Sequence, residues 1–214
     1  MTKRPTLPTR KRSHGLSRRA AVASLFALVP VASCTTLIGE VPPTIYDLRA
    51  PANIDVGRER SSRQILIAEP AAVRFYATDR IVVRDSGATL SYYPDALWGD
   101  ALPQLFQARL AESLERTGRV RAVGRPGQGL LIDTRLVPEI RAFEVVIAES
   151  GQAVASVDVS IKVMNDANGR VLAGRTFVAE VTAASDSVED GVEAINIAAE
   201  AALRDIVRFV LSTV

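Results

Sequence analysis

The side chain with the most definite chemistry is the thiol of Cys34, the only cysteine among 214 residues. It follows Val31-Ala32-Ser33 and precedes Thr35, a small-residue ending at which an exported chain is cut while the thiol takes a diacylglycerol. Upstream stand seven basic residues (Lys3, Arg4, Arg10, Lys11, Arg12, Arg18 and Arg19) with no acidic one. An apolar run follows from Ala20 to Val31, interrupted only by Ser24 and Pro30. Charge, apolar core and small residues in that order make a secretion signal, and a dozen apolar residues fall short of the ~20 a spanning helix needs. Residues 1–33 are therefore expected to be a lipoprotein signal peptide, with acylated Cys34 holding the chain to a bilayer. Position 35 is threonine, not the aspartate that retains lipoproteins at the inner membrane, so the expected address is the periplasmic face of the outer membrane. Ser17-Arg18-Arg19 is followed by Ala20-Ala21, without the bulky apolar residue of a twin-arginine signal, so Sec export is the default and the twin-arginine route stays open.

What remains after residue 33 is poor in reactive groups. It has no second cysteine for a disulfide, no histidine (His14 is in the leader), and Lys162 as its only lysine. Ser-His-Asp and Cys-His catalysis and His/Cys metal ligation are thereby excluded, and neither a metal nor a cofactor is expected. A Ser-Lys dyad would have to use Lys162, which lies on the polar side of an alternating strand. Carboxylate pairs are the remaining enzyme machinery, but Asp79, Asp85, Asp95 and Asp100 are separated by turns. The acidic cluster from Asp186 to Asp190 sits at a helix start, where negative charge suits the helix dipole as well as it would a calcium ion. All 24 acidic residues lie beyond Cys34 against 19 basic ones, so the mature chain is near −5, and the sequence pI of 8.9 belongs to the precursor. No basic stripe with interleaved aromatics suggests nucleic acid.

Positioning elements can be placed by periodicity. Residues 34–62 read as a lipidated tether and extended segment, with Pro42-Pro43 as a spacer and a short strand near Thr44–Arg49. Residues 63–214 read as one domain. Ile65–Ala68 and Arg80–Arg84 are strands, and Thr89–Tyr93 pairs back as a hairpin that Pro94 stops. A helix spans about Asp100 to Thr117, with Asp100 as N-cap, Pro103 in the first turn, and Leu102, Leu105, Phe106, Leu110 and Leu114 on one face. Gly118 supplies its left-handed stop. Val120–Val123 is a short strand, and Gly124–Gly129 a glycine loop without the context of a phosphate site. Leu130–Ile147 is a long strand that Pro138 bends and assigns to an edge. In Ala153–Val163 the odd positions from Ala155 face a core, while Ser156, Asp158, Ser160 and Lys162 face water or a partner. Asp166–Gly169 turns the chain into Val171–Val181. A second helix begins at Ser187 with Asp190 in a capping box and carries a stripe from Val188 to Val210. The expected fold is α+β: a largely antiparallel sheet with two amphipathic helices on one face, in a single domain.

Tyr92, Tyr93 and Trp98 stand close together in sequence and read either as a partner or lipid surface or as a plug between hairpin and helix. From here the chain resembles a known family. Tyr46-Asp47-Leu48, Ile65-Leu66-Ile67-Ala68-Glu69-Pro70, Asp79-Arg80-Ile81-Val82-Val83-Arg84, Tyr92-Tyr93 and Trp98 before a helix ending at Gly118 are similar to the ABC-type transport auxiliary lipoproteins. These are outer-membrane lipoproteins that accompany mammalian-cell-entry-domain lipid transporters. The resemblance implies a non-enzymatic accessory in the movement of phospholipid or another apolar molecule. Its implied partners are a cell-entry-domain substrate-binding protein and the ABC permease and ATPase, with no catalytic residues and Cys34 as the one transferable site. The oligomeric state stays open, a homo-oligomer included. Two alternatives have other classes of function: a lipoprotein that chaperones an outer-membrane complex, and a carboxylate-dependent periplasmic hydrolase.

Overall fold

The computed structural model describes residues 42–85, 87–129 and 131–214. Cys34 and its flanking Val31, Ala32, Ser33 and Thr35 lie outside the described residues, as does the rest of the leader.

One strand, β7 (Thr134–Ile147), is the spine of a mixed nine-stranded sheet. Along one edge it pairs with β8 (Ala153–Asn165) over its whole length, and β8 pairs with β9 (Val171–Thr182), both antiparallel. The other edge is divided among three short parallel partners. β2 (Gln64–Ile67) lies beside Thr134–Leu136, β3 (Ala71–Ala72) beside Glu139–Ile140, and β4 (Arg80–Arg84) beside Glu144–Val146. Outside β2 runs β6 (Ala122–Gly124); outside β4 run β5 (Leu90–Trp98) and then β1 (Thr44–Tyr46). The long pairings are antiparallel and the short ones parallel, so the sheet is largely antiparallel by paired length. From Thr44 onward the extended N-terminal segment is part of this domain, and Leu48 is buried in its core.

Both helices, α1 (Leu102–Thr117) and α2 (Val188–Thr213), cover the same face. Phe143 meets Phe106 of α1 edge to face at 6.4 Å, and Val145, two residues on and hence on the same side, abuts Gly191 of α2. Farther along, Phe177 of β9 packs on Phe209 of α2. The predicted α1 stripe is buried throughout, and Ala155, Val157, Val159, Ile161 and Val163 of β8 are fully buried beneath the helices. Each buried valine, leucine, isoleucine or phenylalanine among them contributes about 1.5–3 kcal/mol on leaving water. Ser187 caps α2 by accepting from the Asp190 N–H at 3.2 Å, and Gly118 ends α1 with φ +60°.

Three local expectations need correction. The N-cap of α1 is Ala101, not Asp100, whose carboxylate accepts from the Ala101 N–H at 2.7 Å, one residue too early. The carbonyl of Thr78 takes the Leu102 N–H at 2.9 Å instead, so a neighbouring loop satisfies one of the four open helix donors. Pro94 does not stop β5. The pairing with β4 jumps from Val82–Tyr92 to Arg80–Leu97, and the bulge between them absorbs both Pro94 and Asp95 at φ +51°. Pro138 does not mark an edge, since β7 is central; its register shift falls between Ile140 and Ala142. Leu136 accepts from the Ala68 N–H, so backbone groups at 136 and 138 point to the divided edge. There Pro138 sits in the gap between β2 and β3, where no ladder donor is required.

Candidate functional site

The sheet face away from the helices carries a buried carboxylate with both oxygens paired. Glu144 is 3% exposed, with Arg84 donating to it through Nε at 2.6 Å and Nη2 at 3.0 Å. The hydroxyl of Tyr76, also 3% exposed, donates to Oε2 at 2.6 Å. Register explains the meeting: Val82 lies beside Glu144 in parallel pairing, so Arg84, two residues on, projects from the same face. A turn closed by the Tyr76 N–H on the Val73 carbonyl folds segment 73–76 over this spot. The hydrogen bond to Glu144 raises the Arg84 pKa, while burial first and the Glu144 bond second raise that of Tyr76. The trio is a closed clamp: both carboxylate oxygens of Glu144 already accept, Oε1 from Arg84 and Oε2 from Arg84 and Tyr76. Sequence reading missed it, although a glutamate inside the run Ala142-Phe143-Glu144-Val145-Val146 was a signal that a cation had to lie opposite.

The three aromatic residues singled out by sequence do not share a surface. Tyr92 is on the polar face, stacked on Phe75 at 4.5 Å with the Arg80 guanidinium 5.2 Å above its ring. Tyr93 points the other way, against Gly191 of α2; its hydroxyl is buried without a partner, and burial, with Asp186 second, pushes its pKa to about 12. Trp98 is 3% exposed and packs edge to face on Phe143 at 6.2 Å. Lys162 is exposed on the polar face of β8.

Where the C-terminal end of α2 approaches the start of β2, an open groove of about 520 Å³ is lined by Arg58, Arg60, Arg119 and Arg208, together with Asp55 and Glu59. Among the described residues no three His, Cys, Asp or Glu side chains are grouped to hold a metal ion, and no helix is long and apolar enough to cross a membrane.

Fold and site together define a small α+β domain that carries an arginine-lined groove and a polar sheet face. The chain belongs to the family of ABC-type transport auxiliary lipoprotein components, whose model matches residues 46–207. That family is one of transport accessories attached to membranes of the cell envelope, not a family of enzymes. An uncharacterized protein of Bradyrhizobium diazoefficiens is 33% identical over 144 residues, covering 67% of this chain and 38% of that protein. The chain thus spans well under half the length of that curated relative. Among solved structures, a Xanthomonas campestris protein of a family of unknown function superposes with a TM-score of 0.75 at 25% identity, covering 79% of this chain and 95% of the other. A hypothetical protein from Chlamydia trachomatis shares the fold at TM-score 0.51 and 11% identity, covering 72% and 98%.

Proposed function

We propose that this protein is the outer-membrane lipoprotein of an ABC transport system whose substrate-binding component carries the mammalian-cell-entry domain, and that the system moves phospholipid or another apolar molecule. Residues 1–33 are the signal peptide, acylated Cys34 is the anchor, the residues after it lead from the bilayer to β1 at Thr44, and the domain makes protein contacts in the periplasm. The family match across residues 46–207, downstream of a Val-Ala-Ser-Cys ending, carries this reading. Two acyl chains suffice for stable anchoring at about 0.8 kcal/mol per buried CH₂. Deleting the gene is expected to sensitise the outer membrane to detergent, and Cys34→Ala expressed in its place should neither incorporate labelled palmitate nor restore the barrier. Full complementation by an unacylated Cys34→Ala protein would overturn the anchoring reading; an intact barrier in the deletion strain would overturn the transport reading.

A further inference from the structure

The sheet is closed off unequally on its two sides. Beyond the divided edge of β7 the outermost strands, β1 and β6, have three residues each, whereas β9, outermost on the other side, has twelve. The Ala183 N–H donates to the Ala153 carbonyl, continuing the pairing of Val154 with Thr182. Hydrogen-bonded pairs alternate along an antiparallel ladder, so odd-numbered β9 residues bond to β8 and even-numbered ones turn their N–H and C=O outward. Among the described residues, those outward groups of Gly174, Thr176, Val178, Glu180 and Thr182 have no hydrogen-bond partner. Long open edges invite further strands and are ordinarily blunted by lysine, proline or a bulge. β9 has neither lysine nor proline, and its one register shift lies at its Val171 end. At mid-strand it leaves Val178 62% exposed.

This edge is complementary to itself. A two-fold axis normal to the sheet keeps each face on its own side, so two antiparallel β9 strands match odd residues with odd and even with even. Centred on Val178, the pairing sets Val178 against its own copy, Glu180 opposite Thr176, and Thr182 opposite Gly174. Thr176 is where Arg141 ends after crossing β8: Nη1 donates to the Thr176 hydroxyl at 3.3 Å, while Nη2 donates to Glu139 at 3.2 Å. Glu180 is exposed and, among the described residues, has no ion pair. In this register it meets Arg141 of the second copy, and symmetry repeats the contact. Other centres lose the match. Phe177 as the centre puts Glu180 opposite Gly174 and Val178 opposite Thr176; Arg175 as the centre sets two guanidinium groups face to face.

We infer that the protein forms a two-fold dimer through β9, the sheets of two copies joined edge to edge in the register centred on Val178, with Arg141 of each copy paired to Glu180 of the other. The backbone supplies about ten ladder hydrogen bonds, and the exposed ion pairs select the register more than they add affinity.

The test is made on the full chain, in the cell envelope and in detergent. Cys34 is the one native cysteine, so the wild-type protein sets the background for thiol cross-linking. Under oxidation Val178→Cys should give a disulfide-linked dimer. Thr182→Cys should not, because its two copies lie about eight residues apart along the strands, roughly 27 Å at about 3.4 Å per residue. Adding Gly174→Cys to Thr182→Cys should restore the link, since a Cβ at Gly174 meets nothing closer than 3.8 Å. In sedimentation the wild-type protein should be a dimer and Val178→Lys a monomer. Glu180→Arg should weaken association about fivefold, and Glu180→Arg with Arg141→Glu should recover most of that loss. The substituted side chains are exposed, so unchanged circular dichroism checks the fold. A wild-type monomer, an assembly larger than a dimer, or a dimer indifferent to Val178→Lys would each overturn the inference. So would a link from Thr182→Cys alone as strong as that from Val178→Cys. The transport reading stands in all of these cases.

Discussion

The two faces of the sheet solve burial differently. Under the helices, β8 presents Ala155, Val157, Val159, Ile161 and Val163 to a core in which no polar partner is needed. On the other face the same strand carries Ser156, Asp158, Ser160 and Lys162, of which Lys162 is exposed and Ser160 buried, and a short turn around Tyr76 covers Glu144 of the neighbouring strand. The first face draws stability from area and tolerates any residue of fitting shape. The second holds a buried charge, where stability depends on every partner being present.

Substitutions on each side can break that contrast. The largest loss is expected on the helix face: Phe143→Ala removes the ring between Trp98 and Phe106 and should cost about 3–5 kcal/mol in denaturant unfolding. On the polar face Glu144→Ala should cost about 3 kcal/mol, because Arg84 and Tyr76 lose their shared partner. Replacing the trio together with apolar residues of similar volume should recover much of that loss; if Glu144→Ala alone is neutral, the clamp is not structural. Gly191→Ala probes the seam between helix and sheet. The added methyl would stand 2.5 Å from the Tyr93 hydroxyl and 3.2 Å from Val145, so about 1–3 kcal/mol of overpacking is expected, part of it relieved by Tyr93→Phe. The smallest effect is one of pH. Tyr93 has a folded pKa raised to about 12 from an ordinary 10, so its contribution is fully present below pH 10 and is lost as pH rises from 10 through 12. Tyr93→Phe should flatten the alkaline limb of the stability profile and change little at neutral pH, where the hydroxyl has no partner; an unchanged alkaline slope would remove Tyr93 from that account.

Regular periodicity made the large elements legible. The stripe from Leu102 to Leu114, the alternation of β8, the Ser187 cap and the Gly118 stop are local signals whose partners lie within a few residues. What could not be read were relations across the chain. Three brief strands share one edge of β7, and that arrangement makes both Pro138 and the Pro94 bulge acceptable. The same holds for the site. Tyr92 and Tyr93 are neighbours in sequence, yet strand alternation sends them to opposite faces. Arg63 and Arg121 are far apart in sequence, and only the pairing of β2 with β6 brings them to one pole.

The divided edge of β7 also sets an order of assembly. β7, β8, β9 and α2 follow one another directly, joined by short hairpins, and most of their pairings are local. β2, β3 and β4 find β7 across roughly sixty to seventy residues of chain, a separation that slows pairing through its closure entropy. Synthesis begins at the other end, so the N-terminal half emerges first; β4 and β5 can close on each other, but the edges of β2, β3 and β4 that meet β7 wait until the C-terminal half arrives. Such a chain is most exposed to aggregation and proteolysis before its last eighty residues have appeared.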